Sequence, residues 1–477
     1  MNRETTQAAA TSPLLGRGEP SEALPCSSSS SASAATFPLV LSTFIALWGS
    51  YIFGNALGYS SPAESGIIED LGLSLAEYSL FGSILSIGAI VGALLSGRIA
   101  DFVGRRGAMW VSDVICIFGW LLIGFAQDAL WLDCGRALLG CGIGLLTYAV
   151  PVYIAEITPK NLRGGFTALH EFVIGCSSSI AYLVGSIINW RVFALTGLIP
   201  CLIQFLGLLF IPESPRWLVK NGRDMAFEAS LQQLRGKNVD ISQEASEIRD
   251  YTIYLEWVTQ KGFLDMFQQK YARCLIVGIG LMVFQQFGGM KGVLFYTASI
   301  FESAGFPSRE GTVLAGITKI ITSALGVLLL TIYGRRPLLL FSAAGAWLGA
   351  LITALSFLFC DIHLWKELSS VSFLVGISVF IGAYELGLGS IPWIIMSEIY
   401  PVNIKGSAGS LSNLVSWFGS WAVSYSFNYL FEWSSAGIFF IYSCICGLAV
   451  LFIAKLVPET RGRTLEEIQI SITEQEG

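Results

Sequence analysis

Stretches of roughly 20 apolar residues, enough to cross about 30 Å of hydrocarbon as a helix, recur twelve times along this chain of 477 residues. They fall at 38–60, 78–97, 108–127, 130–153, 166–188, 191–211, 271–297, 312–333, 337–360, 370–396, 406–430 and 434–456. Lipid offers no partner to backbone N–H and C=O groups, so each stretch must satisfy its own by forming a helix. The predicted fold class is therefore an all-α membrane protein with twelve transmembrane helices. Composition agrees: 13% of residues are charged, against roughly 25% in soluble domains.

One long polar segment, 212–270, separates the sixth stretch from the seventh, and 225–236 and 242–258 within it carry amphipathic helical spacing. The predicted organisation is an N-terminal tail at 1–36, a six-helix half at 37–211, a helical loop at 212–270, a second six-helix half at 271–457 and a C-terminal tail at 458–477. Basic residues crowd one side: Arg98, Arg105, Arg106, Lys160, Arg163, those of 216–273, Arg335, Arg336, Lys405 and Lys455. The other side receives Arg191, Arg309 and Lys366. The positive side faces the cytosol, which places both termini and the loop there. The Ser/Ala-rich N-terminal tail lacks the layout of a signal peptide and reads as disordered. Within it, Ser12-Pro13-Leu14-Leu15 has the form of a dileucine sorting signal for adaptors, a pair that composition alone also produces.

A net charge of −6 and two histidines argue against a nucleic-acid binder. The ten cysteines include no CxxC, so neither a zinc site nor a disulfide framework is indicated. No Asn-x-Ser/Thr sequon, Walker loop or nucleophile–base constellation occurs, so the chain is read as neither N-glycosylated, ATP-driven nor an enzyme, with no cofactor and no metal.

The two halves repeat each other. Glu156, Pro159, Arg163 and Gly164 share their spacing with Glu398, Pro401, Lys405 and Gly406. Gly104-Arg105-Arg106 is echoed by Gly334-Arg335-Arg336, and Pro212-Glu213-Ser214 by Pro458-Glu459-Thr460. In a membrane protein such duplication points to two halves rocking about a central site. The loop Gly97-Arg98-Ile99-Ala100-Asp101 running into Gly104-Arg105-Arg106 can form an ion-pair latch with Glu156 and Arg163, or with Glu398 and Lys405. Glu213, Arg216, Glu459 and Arg461 complete the predicted cytosolic gate, whose charge pairs would hold the outward-open state. Orientation alone would also give basic loops, but it does not require the matched Glu-Pro-Arg/Lys-Gly register. The second copy is weaker, with Thr331 where the first has Asp101.

These motifs resemble the sugar porter family of the major facilitator superfamily. The resemblance extends over about residues 40 to 470. It includes Pro212-Glu213-Ser214-Pro215-Arg216-Trp217, Gly135-Arg136-x-x-x-Gly140-x-Gly142-x-Gly144, Pro151-x-Tyr153-x-x-Glu156, Gln285-Gln286, Gly387-x-Gly389-x-x-Pro392-Trp393 and Pro458-Glu459-Thr460-Arg461-Gly462. Within the family, Phe53-Gly54 through Pro62, Trp131 through Arg136 and Leu465-Glu466-Glu467-Ile468 look most like plant early-response-to-dehydration-like monosaccharide transporters. That subgroup implies a plant membrane, favouring the vacuolar one over the plasma membrane, and facilitated or proton-linked export of hexose by a monomer.

A sugar needs amides that donate and accept together, and an aromatic platform. The resemblance places Gln285, Gln286, Trp393 and Trp417 at the central cavity. Glu171, Lys291, Tyr296, Lys319, Gly389 and Ser416 complete the predicted substrate-binding set. Three of these depart from the family pattern: Glu171, preceded by His170, stands for Gln, Lys291 for Asn, and Lys319 for an amide. A lone charge inside the membrane costs about 2.5–3.5 kcal/mol even on the lenient insertion scale. Glu171 is therefore expected to pair with Lys291 or Lys319, unless the lysines snorkel or meet cavity water. The departures admit a charged or modified sugar as cargo, and a non-transporting sugar sensor is a further alternative.

Proton-linked members carry an Asp where this chain has Ser60, facing the position of Arg136. Glu171 and Glu64 are the candidates to replace it, with Glu64 also readable as an exposed loop carboxylate one turn from Ser60.

Overall fold

The computed structural model describes residues 36–159, 162–236, 239–258, 266–362, 366–401 and 404–461. No strand occurs among the described residues. Twelve membrane helices form two six-helix halves of the major facilitator type. Span one is Phe37–Gly58, continued by Ser60–Leu71, and span two is Leu75–Val103. Spans three to six are Arg105–Gly124, Ala129–Ile157, Arg163–Gly185 and Trp190–Gly207. Span seven is broken into Ala272–Phe287, Met290–Phe295 and Thr297–Ser303. Spans eight and nine are Ser308–Ile332 and Arg335–Asp361. Span ten runs Lys366–Ala383, passes through a π-helical turn at Tyr384–Leu388 and resumes at Ile391–Ile399. Lys405–Trp433 and Ser435–Leu456 are spans eleven and twelve.

Among the described residues, ten helical segments are long and apolar enough to cross a membrane. The apolar part of span five, Leu169–Gly185, is shorter, and span eleven is less apolar for a structural reason. Span five carries His170, Glu171 and Ser177 to Ser179, and span eleven a series of serines. Glu171 and Ser416 face the cavity, and Ser178 accepts from Lys319 and Ser420 meets Ser86 across the halves.

Local sequence sets the helix ends. Ser74 and Glu77 form a capping box at the start of span two, and the Asp128 side chain caps span four. Span seven breaks at Gly289, whose φ of 92° and contact with the Tyr442 ring leave no room for a side chain. Spans two and four approach closely through small residues: a Cβ on Gly88 would lie 2.2 Å from the carbonyl oxygen of Ala137.

The loop between the halves holds three helices, Pro215–Lys220, Asp224–Arg235 and Ser242–Val258, over a small core of Trp217, Leu218, Phe227, Leu231 and Ala245. It is fastened to the first half. Trp217 donates to the Asp101 carbonyl at 2.9 Å, Arg235 to the Ile157 carbonyl at 2.9 Å, and Thr36 to the Leu234 carbonyl at 2.5 Å.

Candidate substrate cavity

A cavity of ≈ 200 Å³ lies between the halves. The first half contributes Phe53, Leu57, Thr147, His170 and Glu171. The second contributes Gln285, Gln286, Lys291, Lys319, Glu385, Gly389, Trp393, Asn413, Ser416 and Trp417, among others. Nine of the ten predicted substrate residues therefore line one space. The exception is Tyr296, which is fully buried and stacked on Phe427 at 5.1 Å between ring centroids. Five residues beyond Lys291, just past the end of helix Met290–Phe295, it belongs to the seal at one end of the cavity rather than to the cavity itself.

The amides are largely committed to protein partners. Gln285 donates to the carbonyls of Leu388 and Gly389 at 2.7 and 2.8 Å, taking up acceptors that the π-helical turn leaves over. Gln286 donates to the Gln285 side-chain oxygen at 3.2 Å and to Ser416 at 2.9 Å, while its own oxygen has no partner among the described residues. Tyr384 donates to the Gln285 carbonyl at 2.6 Å, and Ser342 of span nine fixes the turn through the Leu388 N–H at 2.8 Å. Trp417 packs on Phe53 at 5.9 Å, and Trp393 lies partly exposed on the wall.

The charges are arranged differently from the sequence expectation. Lys319 pairs with Glu385 at 3.4 Å and donates to Ser178 across the halves at 2.8 Å. Glu385 sits in the π-helical turn and was absent from the predicted set. Its signal was present in the sequence as a carboxylate inside an apolar stretch, two residues before Gly387. Among the described residues, Glu171 forms an ion pair with neither lysine. It is exposed to the cavity and lies within electrostatic reach of Lys291 and Glu385. Lys291, partly exposed, lies within reach of Glu171, Lys319 and Glu385 without direct contact. His170 is bonded to Ser50 at 2.7 Å.

At the end away from the repeated Gly-Arg-Arg loops, bonds between the halves seal the cavity. The Ala298 N–H donates to Ser61 at 2.9 Å, Ser299 donates to Glu64 at 2.5 Å, and Asn428 donates to Ser79 at 2.9 Å. Tyr182 donates to the Leu294 carbonyl. Glu64 is 5% exposed, so it is an interface carboxylate and not the exposed loop residue that its sequence position also allowed. Continuation of span one into Ser60–Leu71 carries it inward. Arg136 is fully buried outside the cavity, donates to the Ala56 carbonyl at 2.8 Å and to the Ser60 hydroxyl, and faces the Phe81 ring at 5.2 Å.

At the motif end, the repeated residues bind within their own half. Arg105 pairs with Glu156 and Asp101, and Lys220 reaches Asp101 at 2.9 Å. Arg335 pairs with Glu398 at 3.1 Å. Glu213 accepts the backbone N–H groups of Arg105 and Arg106, and Glu459 those of Arg335 and Arg336, so each caps the N-terminus of a span. Arg106 and Arg336 donate to the carbonyls of Ile211 and Ala454. Arg461 contributes its N–H to Glu459 and its side chain to the Ile332 carbonyl. Three expected gate residues differ: Arg98 is exposed without an ion pair among the described residues, Arg216 lies over the Tyr251 ring at 5.3 Å, and Lys405 donates to the Ser397 carbonyl at 2.7 Å. The side chain of Arg163, together with Leu14 and Leu15, lies outside the described residues. These pairs are intact while the opposite end is sealed. They tie helices within a half and do not bridge the halves.

The model of the family described as "Sugar (and other) transporter" matches residues 32–471. The chain belongs to this transporter family. It is 52% identical to "Sugar transporter ERD6-like 7" of Arabidopsis thaliana over 430 residues, covering 90% of this chain and 93% of that one. "Sugar transporter ESL1" of the same plant is 45% identical over 439 residues, 92% of this chain and 93% of the relative. Among solved structures, the inward-open xylose transporter XylE from E. coli superposes with a TM-score of 0.77 at 24% identity, over 91% of this chain and 99% of that one. The proton:xylose symporter XylE bound to 6-bromo-6-deoxy-D-glucose gives a TM-score of 0.76 at 23% identity, over 91% and 99% of the two chains. At that identity the likeness establishes the shared twelve-helix fold.

Proposed function

We propose that this chain carries a monosaccharide across its membrane by alternating access. The observation that carries this reading is a cavity lined by both halves and sealed at one end by bonds between them. Rocking the halves would open that seal and close the motif end, exposing the same residues to the opposite side. Likeness to plant relatives named as sugar transporters supports the substrate class. The charge bias of the loops supports a cytosolic motif end and cytosolic termini. The vacuolar membrane and adaptor recognition of Leu14-Leu15 are the favoured finer assignments. Counterflow of labelled hexoses in proteoliposomes, with and without a pH gradient, tests the reading. Absence of flux for every sugar would overturn it.

Proton linkage is assigned to Glu64, a carboxylate between moving surfaces. The groups facing it are Ser299 and Glu302 of span seven, Tyr78 of span two and Tyr296, with Arg136 near the same tyrosines. Opening the seal would expose Glu64 to protons from that side. Glu64→Gln should flatten the pH dependence of counterflow, and an unchanged profile would remove the assignment.

A further inference from the structure

The cavity wall holds two acids, Glu171 and Glu385, and two amines, Lys291 and Lys319, so its formal charge sums to zero. Lys319 and Glu385 neutralise each other at 3.4 Å. Glu171 and Lys291 remain, one from each half, with neither a hydrogen bond nor an ion pair among the described residues. Both are accessible from the cavity.

A solute entering the site desolvates both groups. A neutral hexose returns only hydroxyl contacts to two ions. A net anion answers Lys291 but confronts Glu171 and Glu385, and a net cation meets the reverse problem. A desolvated charge without a partner is strongly unfavourable, whereas an ion met by an opposite charge with good hydrogen bonds recovers most of that cost. A solute with one charge of each sign satisfies both free groups and leaves the cavity neutral.

We propose that the cavity selects a zwitterionic, polyhydroxylated solute, a sugar skeleton bearing one ammonium and one carboxylate. Glu171 receives the ammonium and Lys291 the carboxylate, while Gln286 and Ser416 meet hydroxyls. This rests on the transport reading above and narrows its substrate. Because the two ions belong to different halves, the bound solute also bridges the halves electrostatically.

The test uses the full-length protein with four probes of similar size: D-glucose, D-glucosamine, D-glucuronate and D-glucosaminate, the last carrying both charges. Affinity is read at neutral pH by ligand-induced thermal stabilisation in detergent, and flux by counterflow in proteoliposomes. Glucosaminate should bind at least tenfold tighter than each of the other three. Glu171→Gln should lower its affinity at least tenfold and shift preference toward glucuronate. Lys291→Asn should do the same and shift preference toward glucosamine. Opposite shifts in the two variants cannot come from a general loss of folding. Glucose binding as tightly as glucosaminate, or equal effects of both variants on all four probes, would overturn the proposal. Selective binding without flux of any probe would keep the ligand class and overturn the transport reading. Flux of glucose without preference for glucosaminate would do the reverse.

Discussion

Arg105 grips Glu156 through two parallel N–H···O bonds at 3.0 and 3.1 Å, whereas Arg335 holds Glu398 through one at 3.1 Å. The difference follows from the unequal copies of one motif. In the first half, Asp101 takes another guanidinium nitrogen of Arg105, and the Ser214 hydroxyl donates to Glu156. In the second half Thr331 replaces the aspartate, and among the described residues the Thr460 hydroxyl, Arg335 Nε and one Glu398 oxygen have no partner. A bidentate, buried pair is a much stiffer joint than a single bond at a half-open site.

Arg105→Ala should therefore destabilise the protein by about 3 kcal/mol, as expected when one partner leaves a buried pair. Arg335→Ala should cost about 1 kcal/mol, nearer the value for exposed pairs. Denaturant unfolding in mild detergent measures both, and equal losses would contradict the asymmetry.

Glu385 neutralises a lysine that is itself 5% exposed. Glu385→Gln should cost about 3 kcal/mol, because Lys319 would be left buried and uncompensated. The double reversal Lys319→Glu with Glu385→Lys should recover most of the lost folded protein, read as monodisperse yield. The reversal of Glu171 with Lys319 should recover none, since those two residues form no pair.

The seal at the far end depends on bonds that cross between halves. Ser61→Ala and Ser299→Ala together remove two of them, each contributing about 1 kcal/mol. The ratio of open to sealed forms should rise by about 30-fold, from the relation of about 1.4 kcal/mol per factor of ten. The labelling rate of a cysteine introduced at Ala298, by a reagent impermeant from that side, reports the change.

Burial pushes the Glu213 carboxyl above its ordinary range, although the N–H groups of Ser214, Arg106 and Arg105 and the Arg106 charge pull it back. Between the ordinary value of 4.5 and the raised one, the folded chain holds a proton that the unfolded chain has released. This group's contribution to stability is thus largest below that window and declines as pH rises through it. Glu213→Gln should flatten that part of the stability profile, measured by thermal unfolding from acidic to neutral pH.

The helices were legible because lipid forces each apolar stretch to satisfy its own backbone, and the motif-end contacts because charge spacing repeats. Partnership inside the cavity was not. Lys319 could be seen as a costly buried cation, but its partner, Glu385, lies on the π-helical turn, where one inserted residue rotates the following face of span ten. Glu64 looked like a loop residue because apolarity fades after Ser60, yet the helix continues and carries it between the halves. Tyr296 was expected in the cavity, and the breaks in span seven send its ring to the seal instead.

Gln285 has only two amide hydrogens, and both already serve the carbonyls of Leu388 and Gly389. Any solute that draws on that nitrogen must take it from the π-helical turn, whose carbonyls then need new partners. Cargo and backbone compete for one amide, so filling the cavity and reshaping span ten become a single equilibrium, and the shape of a helix can report whether the site is occupied.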